Sequence, residues 1–215
     1  MCFRAVGGFA RNVSIYDLET KALVTTLKHK LSVTGKITGH TKRIHMIKCA
    51  SHDPRVVLSA AWDHAALLWD LRSSSVVRWF TARDLVMNGG QPADISTAGD
   101  MVVTASDIQA GDVSLWDVGG KGVMAKVPCA YSRPTSVQFS KDVESSDVAV
   151  GACGMGNCGY MRRANEARKD EEPKWNFSFT GWSQQTQDVW AMDWAHRSRK
   201  VCVGAVDGSV TIIGE

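Results

Sequence analysis

Three side chains, in the order His40, Ser59 and Asp63, invite a hydrolase reading, because a serine, an imidazole and a carboxylate together can run acyl transfer. The surrounding sequence argues against it. No G-x-S-x-G nucleophile elbow is present, and Ser59 falls within the apolar run VVLSAA, where a strand would carry it rather than an exposed turn. Asp63, beside His64, suits a tight turn instead, where its carboxylate can accept bonds from local amides and from an imidazole. Cys153 and Cys158 have four residues between them, and no second Cys/His pair has matching zinc spacing, so the expectation is no metal. With no phosphate loop either, no cofactor and no catalytic residue are expected, and the chain reads as a binding protein rather than an enzyme.

Candidate binding residues are Arg72, Arg162, Arg163, Trp190 and Trp194. Arg72 follows Trp69-Asp70-Leu71 and has the plain reading of a solvated arginine after a strand. Arg162 and Arg163 open a charged run, MRRANEARKDEEPK over residues 161–174, read as an insertion between two strands. Its mixed charges serve solubility unless a partner uses them. Trp190 and Trp194 are four apart in DVWAMDWA, so on a strand they share a face, as sheet-to-sheet core or as a recognition surface. Trp175 and Trp182 extend this aromatic group. The basic group His196, Arg197, Arg199 and Lys200 beside them makes RNA binding an alternative. A second basic cluster holds Lys28, Lys30, Lys36, Lys42, Arg43 and Lys48.

The elements that must position these residues are strands. The 215 residues are 44% hydrophobic and 22% charged with a net charge of +3, ample for a core and too weakly basic to demand a polyanionic partner. No run of about 18 apolar residues occurs, and the amino end lacks a secretory signal. The six cysteines lie mostly in or beside apolar strand-like runs, which predicts free, buried thiols in a reducing compartment. Short alternating or apolar runs recur throughout while helical periodicity is scarce, giving about eighteen strands. Tyr16, Trp69 and Trp116 close similar segments at intervals of 53 and 47 residues, and Ile213 closes a fainter one 97 residues on. A period of about 40–50 residues holding four short strands predicts an all-β fold, a β-propeller of four-stranded antiparallel blades.

The segment from Gly39 to Asp70, GHTKRIHMIKCASHDPRVVLSAAWDHAALLWD, carries Gly-His, a serine-bearing strand, a turn aspartate and Trp-Asp. It resembles a WD-repeat. The repeat ending at Asp117 matches partly, lacking Gly-His and carrying Ala110 where the turn aspartate belongs, and the others are degenerate. The resemblance implies a structural tetrad in which His40 bridges Asp63 to Ser59 and on to Trp69. It divides the single domain, residues 1–215, into units near 1–30 (partial), 39–80, 86–127, 133–180 and 186–215 (partial). Family members most often have seven blades, so about four and a half units suggest part of a seven-bladed ring, or a small or open propeller completed by another chain. The implied function is a non-catalytic intracellular scaffold, cytoplasmic or nuclear, for protein–protein interactions, with no membrane partner. The sixteen residues ending at Arg72 also resemble the box by which WD-repeat substrate receptors of cullin–RING ubiquitin ligases meet their adaptor. An RNA-binding module is the remaining alternative.

Overall fold

The computed structural model describes residues 3–28, 30–31, 37–81, 92–106, 112–120, 122–128, 133–141, 148–153, 158–163, 175–178, 189–195 and 200–213. Every regular element among them is a β-strand, and every resolved pairing is antiparallel. No helix among the described residues is long and apolar enough to cross a membrane. The chain divides into two compact units, Met1–Ala93 and Asp94–Glu215.

The first unit holds a three-stranded sheet of β1 (Phe3–Gly7), β2 (Val13–Asp17) and β3 (Leu23–Leu27). A two-stranded ribbon follows, β4 (Lys30–Leu31) with β5 (Ile37–Thr38), which the sequence periodicity did not predict. Then comes a four-stranded sheet of β6 (Ile44–Cys49), β7 (Val56–Ala61), β8 (Ala65–Asp70) and β9 (Ser75–Thr81), each strand beside its sequence neighbour. Strands β7 and β8 are buried along both faces, which is why they read as continuous apolar runs rather than alternating ones. Val13, Ile15 and Leu27 from the first sheet share one core with Ile44, Val57, Leu67 and Trp69 from the second. Each such buried aliphatic side chain contributes roughly 1.5–3 kcal/mol relative to exposure.

The second unit repeats the pattern. One sheet is β10 (Ala93–Ile95, beginning on the last residue of the first unit), β11 (Met101–Ser106), β12 (Asp112–Asp117) and β13 (Val123–Pro128). The next is β14 (Arg133–Phe139), β15 (Val148–Cys153), β16 (Cys158–Arg163) and β17 (Trp175–Ser178). The last has three strands, β18 (Val189–Trp194), β19 (Val201–Ala205) and β20 (Val210–Ile213). Val103, Val113 and Leu115 pack with Val137, Phe139 and Val148 to join the first two of these sheets.

The repeat is written into the backbone as well as the sequence. Arg11 and His64 both have φ near +60° (61° and 59°) in the turns after β1 and β7, and Lys21 and Ser74 (57° and 49°) match in the turns after β2 and β8. Members of each pair are 53 residues apart, the interval between Tyr16 and Trp69. The strand following each of Tyr16, Trp69 and Trp116 carries a bulge whose extra residue is Val24, Val77 or Met124. Bulges also open β6, β14 and β18, with His45, Thr135 and Trp190 as the extra residues.

Two expectations are corrected here. Cys49 and Cys202 are free thiols, but both are exposed rather than buried. Cys202 is turned outward by strand alternation, because its neighbours Val201 and Val203 point into the core. Trp190 and Trp194 do not share a face: Trp190 is 64% exposed and Trp194 only 5%. The register shift between Val189 and Ala191 inserts one residue, and one extra residue inverts every side chain before it relative to those after.

Candidate functional site

The residues that could do chemistry meet on the sheet β6–β9. Ser59 sits mid-strand on β7 and Trp69 near the end of β8. Asp63 lies in the turn joining these strands, and His40 in the segment leading to β6. The Trp69 Nε1–H donates to Ser59 Oγ at 2.8 Å, and Ser59 Oγ lies 2.8 Å from His40 Nε2. His40 Nδ1 lies 3.1 Å and 3.2 Å from the two carboxylate oxygens of Asp63. An indole only donates, so every group is satisfied when the serine hydroxyl donates to Nε2 and Nδ1–H donates to the carboxylate. That arrangement assigns the neutral Nδ1–H tautomer.

Distances alone would fit a serine-nucleophile triad, but access and lone pairs do not. His40 and Ser59 are both fully buried, and the Ser59 oxygen already accepts the indole proton. A carbonyl substrate would have to displace Trp69 to reach it. Asp63 instead ties the site together: the Thr41 amide donates to it at 2.6 Å and the Ala65 amide at 3.3 Å, besides His40. Its burial alone would raise the carboxyl pKa, but the hydrogen bond from His40, with those from the two amides, outweighs burial and holds it below 3.8.

The register carries a partial copy into the second unit. On the β7–β8 pair, Ser59 stands two residues beyond Val57, the partner of Trp69. On β11–β12, Thr104 stands two beyond Val102, the partner of Trp116, and the Trp116 Nε1–H donates to Thr104 Oγ1 at 2.9 Å. Thr104 is 1% exposed. Ala110, the residue in the turn-aspartate position of that repeat, lies outside the described residues.

His64, beside Asp63, is 7% exposed, and its Nε2 has no hydrogen-bond partner. It also occupies a left-handed position, whereas the turn between β19 and β20 has Gly208 there at φ 83°. Both features cost free energy, so His64→Gly is expected to raise stability by about 1 kcal/mol. Urea denaturation of the full chain checks this; a lower midpoint would mean that imidazole packing outweighs both penalties.

Arg72 stands in the turn after β8 with its guanidinium on Asp70, Nε at 3.0 Å and Nη2 at 2.9 Å. Its side chain is 57% exposed. Arg55 is clamped the same way on Asp53, at 3.0 Å and 3.2 Å. The Arg55 hydrogen bonds hold the Asp53 carboxyl down at about 2, and those from Arg72 lower Asp70 likewise. Both arginines rim an open cleft of about 390 Å³ floored by Phe3, Ile15 and Leu71.

Elsewhere the predicted residues scatter. Arg162 and Arg163 are in the last two positions of β16, with backbone partners Asn176 and Trp175, rather than in a loop. Residues 164–174 of the charged run, together with Trp182, His196, Arg197 and Arg199, lie outside the described residues. Cys153 ends β15 and Cys158 begins β16, the two arms of one hairpin. Among the described residues no group of three His, Cys, Asp or Glu side chains is placed to hold a metal ion.

A group that sequence reasoning missed lies at the turn end of the first unit. The Arg43 guanidinium stacks 3.5 Å from the Trp62 ring centre and 5.5 Å from that of Phe9. Arg43 was visible only as one of a cluster of cations; nothing local in sequence marks residues 9, 43 and 62 as neighbours. No protein-family model matches the chain, and no curated protein matches it.

Proposed function

We propose that the chain is a non-catalytic WD-repeat β-propeller scaffold, mediating protein–protein interactions in a multiprotein complex inside the cell. The observation that carries this reading is the Trp69–Ser59–His40–Asp63 relay, which spends the reactive groups on fastening a turn and a preceding segment to the sheet. A serine and histidine with no exposure serve architecture, and function then falls to the exposed turns that the rigid sheets hold. Repetition of four-stranded antiparallel sheets supports the propeller. Affinity purification of the full-length endogenous protein tests the proposal. Stoichiometric companion chains are expected; a reproducible turnover abolished by a point change in an exposed turn would overturn it.

A narrower reading, adaptor docking in a cullin–RING ubiquitin ligase through Arg72, is favoured by the exposure of that guanidinium at the rim of the cleft. Opposing it, Asp70 already holds the Nε edge of the guanidinium. Arg72→Ala is expected to leave stability essentially unchanged, because an exposed ion pair contributes little. On the ligase reading the same variant loses the adaptor in a pull-down, and undiminished adaptor recovery removes that reading.

A further inference from the structure

The Phe9–Arg43–Trp62 group is not used by the tetrad and is built more rigidly than a surface arginine requires. Backbone bonds fix its three segments to each other: the Ile44 amide donates to Gly8 O at 3.0 Å, and the Trp62 amide to Arg43 O at 3.0 Å. Arg11 adds a third tie, its Nη1 donating to Thr41 O at 3.4 Å. The Phe9 ring, which these ties place beside Arg43, is 84% exposed, far more than a structural phenylalanine needs. Asp63, the carboxylate in the same turn as Trp62, has a side chain only 8% exposed and is occupied by His40, Thr41 and Ala65. Among the described residues, therefore, neither Arg11 nor Arg43 has a carboxylate partner, unlike Arg55 and Arg72, which both do.

A guanidinium carbon 3.5 Å from an indole ring centre has that face covered, which leaves the N–H donors at its edge for a carboxylate to bind through two oxygens. Because Trp62 already holds the guanidinium, little side-chain freedom remains to be lost on binding. We propose that this end of the first unit docks an acidic segment of a partner protein, with one carboxylate on Arg43, a second acidic group near Arg11, and an apolar side chain against Phe9. This rests on the protein-scaffold reading and specifies its partner. A single-stranded nucleic acid fits less well: it calls for successive open aromatic faces along a cationic groove, and here Arg43 covers Trp62, leaving Phe9 as the open ring of the group.

The test uses the full-length chain and three fluorescein-labelled probes: a dodecapeptide of alternating acidic and aromatic residues, the same peptide with glutamine for each acid, and an oligouridine of equal length. The acidic peptide is expected to bind, and the glutamine peptide at least about tenfold more weakly, the effect of losing a charge-assisted pair. Phe9→Ser cannot endanger the fold, because its ring is in solvent, and is expected to weaken the acidic peptide about fivefold. Arg43→Lys keeps the charge and loses the stacked fork, with an expected loss of about tenfold. Equal binding of acidic and glutamine peptides, or indifference to both Phe9→Ser and Arg43→Lys, overturns the proposal. Tighter binding of oligouridine with a steep fall in salt overturns it in favour of nucleic acid. Companion chains that co-purify undiminished with Phe9→Ser and Arg43→Lys would sink the docking surface while leaving the scaffold reading standing. Absence of any companion from the unaltered protein would sink the scaffold reading itself.

Discussion

Asp63→Ala is expected to destabilise the protein by roughly 2–4 kcal/mol, because one carboxylate accepts from several groups, a fully buried imidazole among them. His40 Nδ1, the Thr41 amide and the Ala65 amide all converge on it, and His40 is fully buried, so water does not replace the lost oxygen there. Asp63→Asn keeps one acceptor oxygen and is expected to lose less. Urea denaturation followed by tryptophan fluorescence reads both: the midpoint falls while the slope stays constant if only native-state bonds are removed. Ser59→Ala introduced into the Asp63→Ala chain should then cost less than it does alone, since members of one network do not add. A loss under about 0.5 kcal/mol for Asp63→Ala would mean that the relay is not formed in solution.

The same carboxylate sets an acid limb. Its folded pKa lies below the 3.8 of the free group, because His40 and the two amides together outweigh the burial that alone would raise it. A depressed folded pKa means that the unfolded chain takes up the proton first as pH falls. The stabilisation is complete above pH 3.8 and drains away as pH drops through the lower folded value. The unaltered protein should therefore lose stability below about pH 4 more steeply than Asp63→Asn, which has no proton to bind there. Parallel pH dependences for the two chains would assign the acid sensitivity elsewhere.

What the sequence made legible follows from how locally each feature is encoded. The eighteen expected strands correspond to β1–β3 and β6–β20, because turn residues and apolar runs bound each one. The ribbon β4–β5 escaped because two residues per strand are too few to show alternation. The relay was legible because Gly-His and Trp-Asp are short motifs at a familiar separation. Its partial copy was not, since Ser59 precedes its tryptophan by ten residues and Thr104 by twelve, and only the strand register aligns them. Face assignment failed at Cys202 and at Trp190 for different reasons. Apolar context was mistaken for burial at the first, although alternation alone would have sent it outward. At the second, a bulge that no residue type announces broke the alternation. The Arg43 stack is tertiary throughout, assembled from three turns brought together by backbone hydrogen bonds.

Trp194→Ala is expected to cost roughly 3–5 kcal/mol and Trp190→Ala no more than about 0.5, although the two indoles are four residues apart on one strand. Trp194 packs with Met192, Val201, Val203 and Ile213. Its Nε1–H donates to Gln138 O at 3.2 Å and its amide to Gln138 Oε1 at 3.3 Å, fastening β18 to β14. Truncation leaves a cavity and an unfilled acceptor on β14. Trp190 sits at the bulge, 64% exposed, and surrenders little on removal. Acrylamide quenching separates them without any change in stability: Trp190→Phe should remove an accessible component of the emission, and Trp194→Phe a protected one. Comparable stability losses at both positions would mean that the alternation runs unbroken and the bulge is absent in solution. The contrast matters for function, because an indole that costs little to remove and stands in solvent is free to meet a partner, whereas its neighbour four residues on is committed to the core.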